Sequence, residues 1–242
     1  MEEARYQESP APAGMGLACL WSHRHPGDAG GPFVQRVVPD GCVDLIWWSR
    51  SAEITVAGPD TGPAPARLEP GERLVAVRFR PGTAPPVLGV PADAVRDARP
   101  PLRELWGDAA GRLGEAMAAA PDPHALLVEA VRARSVERPD PLVPALVSGL
   151  VSGLMPGLEA RPVREVAGAL GVSERQLRRR AHAAFGYGPK TLQRVLRFQR
   201  ALRMARAGVP LAEVAYAAGY ADQAHLANEV RGLAGAPIRT LL

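Results

Sequence analysis

Residues 163–193 read VREVAGALGVSERQLRRRAHAAFGYGPKTLQ, and residues 211–241 read LAEVAYAAGYADQAHLANEVRGLAGAPIRTL. The two stretches are one pattern written twice: an apolar-spaced helix, a glycine at its end, a polar cap, a second helix, then Gly, a short gap and Pro. Glu165-Val166-Ala167 answers Glu213-Val214-Ala215, Gly171 answers Gly219, Ser173 answers Asp222, and Gly186-x-x-Pro189 resembles Gly235-x-Pro237. Two short helices about a tight glycine turn make the helix-turn-helix pattern, whose second helix enters a major groove. Two copies in one chain predict a reader of two neighbouring grooves of double-stranded DNA.

Inside the first copy, Pro162 suits a first helical turn, where its missing N–H costs nothing. Val163, Val166, Ala167 and Leu170 recur at helical spacing and form a buried stripe. Gly171 supplies a left-handed turn, and Ser173 with Gln176 forms a capping-box pattern. Leu177, Ala181, Ala184 and Phe185 then fall on the inner face of the second helix. Arg175, Gln176, Arg178, Arg179, Arg180 and His182 are left outside or at its edges. Arginine suits bidentate contact with guanine O6/N7 and also grips phosphates; burying so many unpaired guanidiniums would be prohibitive.

The second copy uses gentler chemistry. Leu211, Val214, Ala215 and Ala218 make its supporting stripe, Gly219 turns, Asp222 caps, and Leu226 and Val230 point inward. Gln223, His225, Ala227 and Asn228 face out; Gln and Asn pair bidentately with adenine, and His donates to a base or a phosphate. Between the copies, Pro189–Ala207 reads as one helix, with Leu192, Val195, Leu196, Gln199 and Leu202 on one side. Arg194, Arg197, Arg200, Arg203 and Arg206 repeat every third residue. Arg203 and Arg206 read as a solvated face, whereas Arg194 and Arg197 lie near enough to the first copy to reach phosphates. Lys190, Ala224 and Arg231 complete the candidate DNA contacts. Recognition helices in successive grooves should sit about 34 Å apart.

Charge divides the 242 residues unevenly. Residues 160–242 hold 14 Lys+Arg against 5 Asp+Glu, a balance of +9, while residues 1–159 hold 15 against 20, a balance of −5. Only the basic half is thereby suited to a polyanion. Two cysteines, Cys19 and Cys42, cannot build a disulfide framework or a four-thiolate metal site. The acidic start MEEARYQESPAP lacks the apolar core of a signal peptide, and no apolar run approaches the roughly 20 residues of a membrane span. A cytoplasmic protein without membrane contact is the expectation.

The front of the chain reads as β-rich. Met15–Trp21, Phe33–Val38, Val43–Trp48, Glu53–Ala57 and Arg73–Arg80 are short apolar or alternating runs separated by Pro/Gly/Asp clusters. In the last of them Leu74, Val75, Val77 and Phe79 point inward, with Arg78 and Arg80 outward. Residues 23–32 and Thr61–Pro70 read as loops. Helices are expected near Pro91–Ala94, Leu102–Ala119 and Pro123–Val136. Glu137-Arg138-Pro139-Asp140-Pro141 is a charged, proline-broken joint, and Leu142–Met155 follows as an apolar opening helix whose Ser148, Gly149, Ser152 and Gly153 suit close packing. The fold class is α+β: a mixed β/α domain over residues 1–138, then an all-α domain over 139–242 with two helix-turn-helix units on a linker helix.

The segments ALGVSERQLRRR…FGYGPKTLQRVLRFQRAL and EVAYAAGYADQAHLANEVR…GAPIRTL resemble the C-terminal DNA-binding domain of AraC/XylS-type transcription regulators. The likeness covers about the last 100 residues, with both units, the intervening helix and both Gly-Pro closers in order. The words Pro39-Asp40-Gly41-Cys42-Val43-Asp44-Leu45-Ile46-Trp47, Ala57-Gly58-Pro59-Asp60-Thr61 and Val77-Arg78-Phe79-Arg80-Pro81-Gly82 resemble the N-terminal domain of one branch of these regulators. This resemblance implies an effector-responsive transcription regulator that contacts bases from Arg175, Arg178 and Arg179 and from Gln223, Ala224, His225 and Asn228. Candidate partners besides DNA are a small-molecule effector, RNA polymerase and a second copy of the chain. Three departures from the family stand out: Ala181 replaces a core aromatic, a space Phe185 can fill from the next turn; Asn228 stands where Arg is common; Leu226 and Val230 replace Phe.

Asp40, Cys42 and Asp44 lie beside Trp47 and Trp48. Cys42, Trp47 and Asp44 are the candidates for an effector pocket, weighed against a hairpin in which Asp40-Gly41 shapes the turn and Cys42 packs as a small apolar group. His23 and His25 flank an arginine, but a metal site needs further convergent ligands, and neither a metal nor another cofactor is expected. No serine or thiol sits in a nucleophile-elbow context, so an enzyme is not expected. The alternatives are a repair-type enzyme fused to a DNA reader, with Cys42 as methyl sink, and an architectural DNA binder without a sensor.

Overall fold

A computed structural model describes residues 5–27, 30–135, 140–152 and 162–242. The central strand is β7 (Arg73–Phe79), which pairs antiparallel with β2 (Leu17–Arg24) on one side and β4 (Val43–Trp48) on the other. β1 (Arg5–Pro10) and β5 (Ile54–Ala57) form the edges, giving the order β1-β2-β7-β4-β5. One face buries Leu45, Trp47, Val56, Val75, Val77 and Phe79 against helices α1 (Pro85–Leu88), α2 (Arg103–Trp106), α3 (Asp108–Ala119) and α4 (Pro123–Arg134). On the other face Trp21, Leu68, Leu74 and Ala76 are buried together, with Phe33 packed against them. Leu68 and Phe33 face each other across a two-stranded ribbon of β3 (Phe33–Val37) and β6 (Ala64–Leu68).

Several expectations change here. β1 is polar and carries no apolar alternation, yet its whole length pairs with Cys19–Arg24 of β2, and the Tyr6 ring lies 5.7 Å from the Trp21 ring. The expected loop Thr61–Pro70 contains β6, because Leu68 is an apolar anchor and β3 supplies a partner for the backbone. The expected helix Leu102–Ala119 is broken at Gly107, whose φ of +60° few other residues adopt. Near Pro91–Ala94 there is only a 3-10 turn, Ala92–Ala94. Asp40-Gly41 is no hairpin turn: it carries the chain from the β3–β6 ribbon into the five-stranded sheet. The expected joint at 137–141 lies, except for Asp140 and Pro141, outside the described residues, as do residues 153–155 of the expected opening helix.

The C-terminal part is helical. α5 (Leu142–Ser152) precedes α6 (Val163–Ala169) and α7 (Glu174–Phe185), which pack around Leu177, Ala181, Phe185, Leu192 and Val195. Ala181 and Phe185 are both fully inside, so the aromatic volume comes from the next turn as the sequence suggests. α9 (Leu211–Ala217) and α10 (Gln223–Ala234) pack around Phe198, Leu202, Val214, Leu226 and Val230. Both cores share one helix, α8 (Pro189–Arg206), each taking about half of it. Each unit alone buries few side chains; the shared helix lets both close.

Candidate nucleic-acid interface

The geometry of α7 starts at its cap. Ser173 Oγ accepts from the Gln176 amide at 3.2 Å, and Gln176 Oε1 accepts from the Ser173 amide at 2.9 Å, so two N–H groups of the first turn are satisfied reciprocally. This commits the Gln176 oxygen and leaves its amide nitrogen available. Gly171 at φ +66° makes the turn between α6 and α7, and Leu177, Ala181 and Ala184 point to the core. Arg175, Arg178, Arg179 and His182 are therefore exposed, as is Lys190 at the start of α8. Arg178 pairs with Glu174 at 3.1 Å in an exposed i,i+4 contact, which is worth a few tenths of a kcal/mol at most, roughly 0.3–0.5, and is easily exchanged for a phosphate. Arg180 turns the other way and meets Asp140 at 3.4 Å, tying α7 to the start of the helical part.

In α10 the Asp222 carboxylate accepts from the His225 amide at 2.7 Å. The His225 ring stands edge-on to Tyr220 at 5.3 Å, and its Nδ1 accepts from the Ala221 amide at 3.3 Å. That bond assigns the proton of neutral His225 to Nε2, which can donate outward. Gln223, Ala224, Asn228 and Arg231 are exposed along the same helix. Both second helices thus present their polar edges, one rich in guanidinium, the other in amide groups.

The arginine stripe of α8 does something the sequence does not announce. Arg194 meets Glu229 of α10 through two hydrogen bonds of 3.0 and 3.2 Å, and Glu229 holds the Arg194 guanidinium above its ordinary pKa. Arg197 lies 4.5 Å over the Tyr220 ring and donates to the Gly219 carbonyl at 3.4 Å and to Glu229 at 3.5 Å. Burial pushes the Tyr220 hydroxyl up to about 12 against the pull of Arg197. Burial also acts to raise the Glu229 carboxyl, but the Arg194 hydrogen bond and both guanidiniums outweigh it and hold it low. Arg194 and Arg197, expected to reach phosphates, also brace the second unit on the linker helix. Arg206 donates to the Leu241 carbonyl at 3.2 and 3.0 Å, and Arg203 is exposed.

The N-terminal candidates are also engaged internally. Asp44 accepts two hydrogen bonds of 2.9 Å from Arg78 and one of 3.2 Å from Trp21 Nε1, so Arg78 points to Asp44 rather than outward. Trp47 is in the main core and donates from Nε1 to the Gly114 carbonyl at 3.0 Å. The Cys42 amide donates to Asp40 Oδ1 at 2.8 Å, and burial pushes the Cys42 thiol far up, with the Asp40 carboxylate adding to it. A thiol held protonated is a poor nucleophile. His23 and His25 are buried with their rings 5.3 and 5.9 Å from Phe33, and His25 Nε2 donates to the Gly31 carbonyl. Among the described residues no three His, Cys, Asp or Glu side chains gather in a group able to hold a metal, and no helix is long and apolar enough to cross a membrane.

Residues 15–101 match a family described as a domain of unknown function, DUF6597, and residues 166–242 match one described as a helix-turn-helix domain. No curated protein matches the chain. Among solved structures it is similar to the C-terminal domain of AraT, a response regulator from Geobacillus stearothermophilus, at 22% identity over 43% of this chain and 85% of that one, with a TM-score of 0.38. It is similar to ToxT from Vibrio cholerae O395 at 9% identity over 92% and 95% of the two chains, TM-score 0.47. A third similar structure is unsaturated fatty acid bound wild-type ToxT from Vibrio cholerae strain SCE256, at 10% identity over 100% and 96%, TM-score 0.46. With two glycine-turned helix pairs on one shared helix and a matching family over residues 166–242, the C-terminal part of this chain is a helix-turn-helix domain of the AraC type.

Proposed function

We propose that this chain is a sequence-specific transcription regulator whose residues 139–242 read DNA and whose residues 1–138 sense an effector. The observation that carries the reading is the pair of capped helices α7 and α10, anchored to one linker helix with their polar edges exposed. Arg175, Arg178 and Arg179 supply guanine readout and phosphate contact from α7, with His182 and Lys190 beside them. Gln223, His225 and Asn228 supply adenine and phosphate contacts from α10, with Ala224 close to the groove floor and Arg231 at its edge. The first helix contributes most of the affinity, because it exposes Arg175, Arg178 and Arg179 where α10 exposes Arg231 alone. Support for a sensing role comes from the packing of the N-terminal part directly on the helical part.

Selection of bound sequences from random DNA by the purified chain tests this. The expected product is a motif of two segments about one helical turn apart, with binding that weakens steeply as salt rises. Arg179→Ala should cost about 1–3 kcal/mol and relax preference at one base position. A loss that is equal on all sequences makes Arg179 a phosphate anchor; failure to enrich any motif refutes specific reading.

A further inference from the structure

Two arginines of the N-terminal part reach the C-terminal ends of two different helices. Arg36 of β3 donates from Nη1 to the carbonyl of Ala234, the last residue of α10, at 3.0 Å. Arg96 donates from Nη1 to the carbonyl of Gly186, the C-cap of α7, at 2.9 Å. A helix end presents carbonyls without intrahelical partners and a partial negative charge, so each guanidinium caps one recognition helix from outside. The last turn of each helix already closes on a left-handed glycine, Gly186 at φ +79° and Gly235 at φ +64°.

One loop touches both closures. A Cβ on Gly186 would stand 2.6 Å from Pro59 Cγ, and a Cβ on Gly235 would stand 3.1 Å from Pro63 Cγ. The two glycines therefore rest on two prolines of the single segment Gly58-Pro59-Asp60-Thr61-Gly62-Pro63. That segment is stiffly held: Asp60 accepts two hydrogen bonds of 2.9 and 2.7 Å from Arg99, and Thr61 donates to Asp97 from both its amide and its hydroxyl. A third tether sits between them, where Gln199 of α8 donates to the Pro39 carbonyl at 2.6 Å.

The two units have separate cores joined along α8, a helix of 18 residues and so about 27 Å long. Helices of that length bend gently, and a second bridge across their ends removes that freedom. We propose that the 58–63 loop, Arg36 and Arg96 form a clamp that sets the placement of α7 relative to α10, making the N-terminal part a gauge of the spacing at which the two helices read DNA. Arg36 and Arg96 are positioning residues in this scheme; neither contacts DNA. The proposal rests on the reading of α7 and α10 as the two DNA readers.

The test uses the full chain and a two-segment site obtained by selection, compared with the same site carrying one inserted base pair between its segments. The wild type should lose at least about tenfold in affinity on the lengthened site, and the Arg36→Ala/Arg96→Ala variant at most about threefold, because a loosened pair no longer enforces one spacing. Both side chains are exposed, so the variant should melt with the wild type. Arg36→Lys/Arg96→Lys, which keeps a cationic donor at each helix end, should recover most of the discrimination. Equal discrimination by the alanine variant, or none by the wild type, overturns the gauge alone. Selection that yields no two-segment site overturns the DNA-reading proposal first, and the gauge with it.

Discussion

Gly82 and Gly89 offer a matched pair of alanine substitutions that measures how the two parts of the chain meet. Their backbones are alike, with φ of +81° and +80°. An alanine at either position carries the same left-handed penalty, about 1–2 kcal/mol. The surroundings differ. A Cβ on Gly89 meets nothing within 4 Å, whereas on Gly82 it would lie 2.5 Å from Val143 Cγ1 and 2.7 Å from Phe185 Cε1. Both of those side chains belong to the core of the first helix-turn-helix unit and are buried, so neither can swing into solvent. Overpacking of this kind adds about 1–3 kcal/mol. Gly89→Ala should therefore destabilise by about 1–2 kcal/mol and Gly82→Ala by about 2–5 kcal/mol. Urea denaturation followed by tryptophan fluorescence and by far-ultraviolet circular dichroism reads both. Equal losses in the two variants would mean that Val143 and Phe185 do not press on the Val77–Gly82 word in solution, and the interdomain packing described above would be wrong.

Glu229→Gln should destabilise the second unit at neutral pH by less than about 1 kcal/mol, since Arg194 is half-exposed and water screens the pair. The native carboxyl is held below its unfolded value, so its contribution is full above about pH 4.3 and is lost as pH falls through the native pKa; denaturation curves of wild type and variant should converge at acid pH and stay apart above it. Cys42, its thiol pushed far up by burial and the Asp40 carboxylate, should react with iodoacetamide at pH 8 at least about tenfold more slowly than a free thiol, as peptide mass mapping can follow. Reaction at the free-thiol rate would reopen Cys42 as an effector or alkyl acceptor site.

The helix-turn-helix units were legible because their information is local. Ser173 and Gln176, three residues apart, close a capping box, and Gly171, Gly186, Gly219 and Gly235 mark turns that the chain needs at those positions. The stripe Val163, Val166, Ala167 likewise needs only helical periodicity to be seen. β1 and β6 were missed because their strand character comes from a partner, not from their own alternation. Tyr6 and Leu68 find their contacts on β2 and beneath β3, some 15 and 35 residues away along the chain. Arg194 and Arg197 carry a second role that their spacing does not reveal. Their spacing is that of an exposed basic face, and only the fold brings Glu229 and Tyr220 to them.

The three N-terminal words illustrate why a recognisable segment need not reveal its purpose. Asp40, Cys42 and Asp44 look like a pocket because polar and reactive groups cluster beside tryptophans. The structure spends Asp44 on Arg78 and Trp21, and it lays the Tyr187 hydroxyl against Gly41, 3.5 Å from where a Cβ would stand. Gly82 accommodates Phe185, Pro59 accommodates Gly186, and Pro63 accommodates Gly235. Each word therefore touches the helical part of the chain at one residue, Gly41, Pro59 or Gly82. Glycine and proline serve here because an interface against helix termini needs close backbone approach and fixed loop shape. A segment that served only to enclose a ligand would have no reason to bring Pro59 against Gly186 and Pro63 against Gly235, the glycines that close α7 and α10.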